Sequence, residues 1–336
     1  MVGIQDIAAT LGISASTVSR ALRDLPNVSP TTRQMVEEAA EKLGYVHSMT
    51  AAGLVTGRTM AISVVVPAIA KWFYAQVLEG VASALREANY DMVLFDLGWI
   101  RGERARTFRR SLLRHRGDAV LAVCLDFSPE EREELRVTGL PTIVVGTRVR
   151  GLRRVGIDEQ AAGYRATKHL IDLGHRDILH LTGGAETDRG LNRSVPQGRL
   201  RGYRDALTEA GIEFDPSRVL PGWFSITTAG ERMDQFLDSG ARLPTAIFAA
   251  GDEMAIGAIS SLRRHGLSVP DDVSVIGIDD HELAEPFGLT TFAQNPFEQG
   301  VVGARVLLDD LAGTTSRAKS HILPVTLIDR SSTRRL

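Results

Sequence analysis

The chain has 336 residues, 39 Lys and Arg against 41 Asp and Glu, 43% hydrophobic residues and a single cysteine. That length suffices for two or three domains with a sizeable core. It holds no apolar run approaching the roughly 20 residues that span a bilayer, no possible intrachain disulfide, and a near-neutral net charge that gives no global sign of a nucleic-acid partner.

The opening "MVGIQDIAAT" lacks a basic segment followed by an apolar one, so no signal peptide is read and a cytoplasmic location is expected. Ile4, Ile7, Ala8 and Leu11 recur at helical spacing, and Gly12 supplies a turn. Ser14 suits the N-cap of a second helix, roughly 15–23, with Val18, Ala21 and Leu22 on its inward face. After the loop "LPNVSP", Ser29 caps a third helix with Pro30 at its first position. Val36, Ala39, Ala40 and Leu43 give this helix an apolar face, and Gly44 ends it. Three short helices with a glycine turn between the first two form a helix-turn-helix pattern. Residues 13–33 carry Arg20, Arg23 and Arg33 against Asp24 alone, a modest local basic face. Residues 46–58, "VHSMTAAGLVTGR", are small and glycine-bearing, a linker or a helix that is marginal without packing.

From residue 60 the pattern changes. "MAISVVVP", "YDMVLFDL", "DAVLAVCL" and "PTIVVG" read as strands, with helices near 73–89, 102–115 and 129–138 between them. "DILHLTG", "TAIFAAGD" and "VSVIGIDD" continue the alternation, with helices near 161–173, 199–210, 227–238 and 252–265. Continuous apolar strands alternating with helices imply parallel sheets covered on both faces. The units exceed one comfortable sheet, so two α/β subdomains are expected. "LTTFAQNPFEQGVVGARVLLDDL" is expected to cross back to the first of them, and the tail "DRSSTRRL" to be solvated. Cys124, inside "AVLAVCL", reads as a buried, inert strand thiol.

With these residues in view, "IQDIAATLGISASTVSRALRDLPNVSPTTRQMVEEAAEKLGYV" resembles the DNA-binding headpiece of LacI/GalR-type bacterial transcription regulators. The resemblance continues through "HLIDLGHRDILHLTGG", "GRLRGYRDAL", "AIFAAGDEMAIGAISSLRRHGLSVPDDVSVIGIDD" and "LTTFAQNPFEQG", almost the whole chain in the family's order. It implies an all-α helix-turn-helix headpiece at 1–45, a hinge helix at 46–58 and an effector sensor at 59–336. The sensor would have the periplasmic-binding-protein-like α/β fold: two doubly wound parallel-sheet subdomains, an N-subdomain of about 59–160 and 295–321 and a C-subdomain of about 161–294 and 322–336. It also implies a homodimer, or a tetramer built from it, on a near-palindromic double-stranded DNA operator. A small effector, a sugar or sugar-like molecule, would bind between the subdomains and control operator affinity, so that the protein acts as a repressor.

The second helix of such a motif lies in the major groove. Ala15, Ser16 and Arg20 are therefore the candidate base readers: arginine forks onto guanine, alanine suits a thymine methyl, serine donates or accepts. Thr17, Ser19, Asn27, Ser29 and Thr32 suit phosphates, and Ser14 and Arg23 lie beside them, Ser14 also reading as a plain cap. Leu54 falls where family members wedge a minor-groove base step from the hinge. His47 stands where the family has proline, Ser48 where it has asparagine, and Gly3 where it has a capping threonine. In the sensor, Arg199 matches the family's ligand-binding arginine and Asp279 the aspartate that accepts hydroxyl hydrogen bonds, with a capped turn as its alternative. Phe73 and Tyr74 fall at the family's pocket aromatics or in the core. Trp223 or Phe224 would wall the cleft, and Gln294 would meet ligand or the subdomain crossover. The family's "AND" reads "AGD" at 250–252, removing an amide that often meets ligand. Asp280 is expected to face solvent.

An enzyme is the first rival reading, with Asp279 and Asp280 as an acid pair. The chain has no GxGxxG after its first strand, no P-loop, no nucleophile elbow and no metal-ligand spacing of Cys and His. His169 and His175, six apart, do not share a helical face. No catalytic residue, cofactor or metal is expected. The second rival is a small-molecule-binding protein whose headpiece has lost its DNA function.

Overall fold

The computed structural model describes residues 2–22, 26–45, 58–98, 106, 108–109, 116–184, 194–314 and 320–336. The chain divides into two compact units, 1–59 and 60–336. The expected hinge role of Leu54, the departures at His47 and Ser48, and the basic Arg23 lie outside the described residues, as does most of the helix expected at 102–115.

The first unit holds α1 (Ile4–Leu11), α2 (Ala15–Leu22) and α3 (Pro30–Lys42). Gly12 adopts the left-handed conformation that turns α1 into α2, at φ 65°. Ser14 Oγ accepts from Thr17 N at 3.0 Å, and Ser29 Oγ from Thr32 N at 3.1 Å, so both helices begin on their expected caps. α1 starts on Gly3, which offers no side chain; instead its N–H donates to Asp6 Oδ2 at 2.7 Å. Ile7, Val18 and Val36, one from each helix, are fully buried at the centre of the small core.

The second unit contains two six-stranded sheets with one winding. The first combines β1 (Ala61–Val66), β2 (Asp91–Asp96), β3 (Ala119–Val123), β4 (Thr142–Val145), β5 (Arg153–Gly156) and β11 (Ser320–Ile322), in the order β11-β5-β4-β3-β1-β2. The second combines β6 (Ile178–Thr182), β7 (Val219–Pro221), β8 (Ala246–Ala249), β9 (Ser274–Asp279), β10 (Thr290–Ala293) and β12 (Thr326–Ile328), in the order β12-β10-β9-β8-β6-β7. Among the described residues all strand pairings are parallel except β10 with β12. β1, β3 and β8 are buried at every position, as strands covered on both faces must be.

Helices α4 (Trp72–Glu87) and α10 (Pro296–Leu311) cover one face of the first sheet, and α5 (Pro129–Thr138) packs on the other. In the second sheet one face carries α6 (Glu159–Asp172) and α7 (Ser194–Glu209), the other α8 (Ile226–Asp238) and α9 (Asp252–Arg264). α10, from late in the chain, thus belongs to the first sheet, as its crossing back was expected to require. The chain passes between the sheets three times, after β5, after β10 and after β11.

The tail is mostly exposed, as expected, but it is also pinned to the second sheet. Residues 329–336 are polar, yet Ser332 is 2% exposed. Its hydroxyl accepts from Thr290 N and donates to the Val275 carbonyl, and its own carbonyl accepts from Val275 N. The Arg334 guanidinium donates to the carbonyls of Pro270 and Asp271. A segment with no apolar pattern is held by main-chain carbonyls and hydroxyls, a bond type that residue hydropathy does not register.

Candidate functional site

At the N-terminus of α2, Ala15 and Ser16 are exposed, while Thr17, Ser19 and Arg20 are half-buried. Three of the candidate phosphate hydroxyls, Thr17, Ser29 and Thr32, have local side-chain partners: Thr17 Oγ1 pairs with Ser14 Oγ and Thr32 Oγ1 with Ser29 Oγ, each at 2.8 Å. Arg20 donates from one terminal nitrogen to the Pro26 carbonyl at 2.6 Å, which ties α2 to the loop before α3 and fixes the guanidinium near the helix. Asn27 sits in the left-handed region at φ 69° and is exposed. The arrangement presents a short helix by its N-terminus, with small exposed side chains first and a held arginine one turn on.

The candidate site of the second unit forms where β6, β8 and β9 end. In doubly wound sheets the carboxyl ends of strands at the winding reversal are where ligands bind. Arg199, on α7, is 2% exposed. Its Nε donates to Glu159 Oε2 at 2.7 Å, one terminal nitrogen donates to the Ala250 carbonyl, and its guanidinium carbon lies 6.0 Å from the centre of the Phe224 ring. Burial opposes the Arg199 charge, but the Glu159 and Asp279 carboxylates outweigh it and hold the guanidinium protonated. The same burial pushes Glu159 up, against Arg199.

The positions of Glu159 and Arg199 follow from how α6 and α7 meet. A Cβ on Gly163 would collide with the Arg199 carbonyl, and one on Gly202 with that of Gln160, so the two helices touch along their backbones.

Asp279 ends β9. One carboxylate oxygen accepts from the Gln294 amide, and the other from Asp252 N at 3.4 Å. Burial pushes Asp279 up to about 8, with Asp252 adding to the rise and Arg199 and Gln294 opposing it. Asp252, fully buried at the start of α9, is pushed by burial to about 6 while it accepts from His281 N and from the Thr291 hydroxyl. Gln294 is itself held by Gln299, whose amide donates to its carbonyl at 2.9 Å, so it serves the crossover and the Asp279 carboxylate together.

Of the two aromatic candidates after β7, Phe224 faces Arg199. Trp223 packs instead on the backbone of Gly184, where a Cβ would come within 2.8 Å of its ring. Both are left-handed, at φ 58° and 48°, which is why the register was not visible in the residue order. Gly251 accommodates the ring: a Cβ there would lie 3.1 Å from Phe224 and 3.3 Å from Asp279 Oδ2.

Phe73 and Tyr74 occupy the first turn of α4, half-buried, edge-to-face at 6.0 Å and packed on the first sheet's core. Their neighbours carry the contact between the two sheets' lobes, which the residue pattern did not single out. Lys71 donates to the Phe224 carbonyl and lies 3.5 Å from Glu253 Oε1, and the Trp72 ring stands 4.7 Å from that of His281. Burial raises Glu253, with Lys71 opposing. Asp280 does not face solvent alone: its Oδ1 accepts from Arg330 at 2.8 Å. Cys124 is buried as expected, but it lies just past the end of β3 at φ 48° rather than in the strand, and burial pushes its thiol up. His169 and His175 turn their rings to the tail, His175 bridging Thr245 Oγ1 and the Arg334 carbonyl at 3.1 Å each.

A three-helix unit and a two-sheet unit of this kind recur together in known proteins. Residues 3–48 match the family "Bacterial regulatory proteins, lacI family", and residues 167–333 match a periplasmic binding protein-like domain. The HTH-type transcriptional repressor PurR of Vibrio campbellii is 33% identical over the full length of both chains. The chain belongs to the LacI family of bacterial regulatory proteins. Another LacI-type relative, the HTH-type transcriptional regulator DegA of Bacillus subtilis, is 31% identical over 98% of this chain and 97% of its own. Among solved structures, the transcriptional regulator CelR in complex with cellobiose superposes with a TM-score of 0.73 at 32% identity, covering 99% of this chain and all of the other. The lac repressor dimer bound to operator and the anti-inducer ONPF superposes with a TM-score of 0.87 at 25% identity, covering 99% of each. No helix among the described residues is long and apolar enough to cross a membrane.

Proposed function

We propose that this LacI-family regulator is a repressor that binds a near-palindromic operator as a homodimer and changes its operator affinity when a sugar or sugar-like molecule enters the cleft between its two sheets. In this reading residues 1–45 read DNA, 46–58 form the hinge and 59–336 sense the effector. Ala15, Ser16 and Arg20 face bases, Thr17, Ser19, Asn27, Ser29 and Thr32 lie along phosphates beside Ser14 and Arg23, and Leu54 wedges the minor groove. Phe73, Tyr74, Arg199, Trp223, Phe224, Asp279 and Gln294 surround the effector, and the cleft binds it without turnover.

The observation that carries the proposal is the approach of Arg199, Phe224 and Asp279 to one another at the strand ends, in a chain that also carries an N-capped helix-turn-helix. A forked cation, an aromatic face and a carboxylate are the groups that grip a polyhydroxylated ring. The printed partners of relatives, cellobiose for CelR and operator DNA for the lac repressor, support the same assignment. Coupling requires only that the effector prefer one arrangement of the two lobes and the operator another.

The test is a gel-shift titration of the purified protein on DNA from upstream of its own gene. Compounds that raise its melting temperature in a screen of sugars and nucleosides are added in parallel. Site-specific binding that such a compound changes at least several-fold supports the reading. Binding to no site, with or without these compounds, overturns it.

A further inference from the structure

Two consecutive residues with side chains, Asp279 and Asp280, turn the chain at the end of β9 with φ of 144° and 57°. Such backbone is unfavourable for any residue with a Cβ and persists only where its surroundings hold it. Three elements do so. Asp252 Oδ2, on α9, accepts from His281 N at 2.9 Å. The Thr291 hydroxyl, on β10, accepts from Asp280 N at 3.4 Å and donates to Asp252 Oδ1 at 2.7 Å. The third is the C-terminal segment. Arg330 donates from one terminal nitrogen to Asp280 Oδ1 at 2.8 Å and from the other to the Leu289 carbonyl at 2.9 Å, while its N–H donates to Thr290 Oγ1 at 3.0 Å.

We infer that Arg330 is a positioning residue for the effector: by gripping Asp280 it fixes the turn that aims the Asp279 carboxylate into the cleft. The inference rests on the reading that Asp279 meets the effector. The charges give it force. Asp252, Asp279 and Asp280 crowd one corner, where Asp280 helps to raise Asp252, and Arg330 supplies the cation that pairs with Asp280. Without the guanidinium, Asp280 is left half-buried beside two more acids, and relief comes by rotating the turn. The sheet does not depend on Arg330 to keep its tail, because Ser332 and Arg334 anchor the segment through separate carbonyls.

The test uses the full-length protein and calorimetric titration with those members of a fixed panel (cellobiose, glucose, ribose, adenosine, guanosine) that raise its melting temperature. Arg330→Ala is expected to weaken their binding about tenfold, as neighbouring groups in one network do, and to leave operator affinity without the compound unchanged. Asp280→Asn, which keeps the side-chain shape and removes the ion pair, should lose a similar factor, and the double variant no more than either single one. Arg334→Ala should lower the melting temperature yet keep the compound's affinity within about twofold. An affinity for Arg330→Ala within twofold of the parent, or losses that multiply in the double variant, overturns the inference. Asp279→Asn separates the two claims. If it binds as the parent does, the cleft assignment falls first. If it loses binding while Arg330→Ala does not, the cleft stands and the positioning role falls. A panel with no binder overturns both.

Discussion

Asp279 combines a cation 's pull with the resistance of a buried carboxylate, and burial prevails. Its protonation is therefore set near physiological pH, at about 8 against an ordinary 3.8. A carboxylate raised in the fold keeps its proton while the unfolded chain has lost it. Its stabilising contribution is therefore complete below pH 3.8 and is lost as pH rises through about 8. Asp279→Asn should flatten that decline, read as melting temperature between pH 5 and 9. For a hydroxyl-donating effector the ionised acceptor binds better, so affinity should climb through the same window. His180 works in the opposite sense. Clamped between the rings of Tyr203 and Phe248 and bonded to the Phe248 carbonyl, it is driven down to about 4 by burial. Its share of stability is whole above pH 6.5 and disappears as pH falls toward 4; His180→Phe should lose less stability over that acid range. In the headpiece, Arg20→Ala should cost specific operator binding about 1–3 kcal/mol if the fork meets a guanine, measured as the ratio of specific to nonspecific affinity.

At the scale of elements, glycine decides where the site's charges stand. Gly163→Ala forces α6 from α7 and should destabilise the fold by about 1–3 kcal/mol in denaturant titrations while also moving Arg199 off Glu159. Caps and turns of the headpiece were readable in advance because Ser14, Ser29, Pro30 and Gly12 act through their own local backbone. The long apolar strands were equally plain. The short strands β5, β7, β11 and β12 were not, since four residues or fewer with Arg, Pro, Ser or Thr among them carry no period. Much of the site was legible as single residues, Arg199, Asp279 and Gln294 among them. Its wiring was not: Glu159, Asp252, Lys71 and Arg330 reach their partners across 40, 27, 153 and 50 positions, distances over which residue order says nothing. The anchoring of the largely exposed tail was hidden for the same reason, its bonds running to carbonyls rather than to apolar neighbours.

For the sensor as a whole, the Lys71 bridge to Phe224 and Glu253 and the Trp72–His281 contact join the two lobes across the cleft. Lys71→Ala removes a half-exposed pair that by itself contributes about 0.5–1 kcal/mol. That is enough to shift a lobe-opening equilibrium a few-fold, and small-angle scattering of the ligand-free protein should show a larger radius of gyration. An unchanged radius would mean that the lobes are held by other contacts. The three passages of the chain between the sheets restrict such opening to a bend or twist about the connections. They also impose an order on biosynthesis. The first lobe cannot finish its sheet until β11 has been translated, nor cover it until α10 has followed β10. A ribosome therefore releases a headpiece with its own small core while the first lobe still waits, through the 139 residues between Gly156 and Pro296, for its last helix and edge strand.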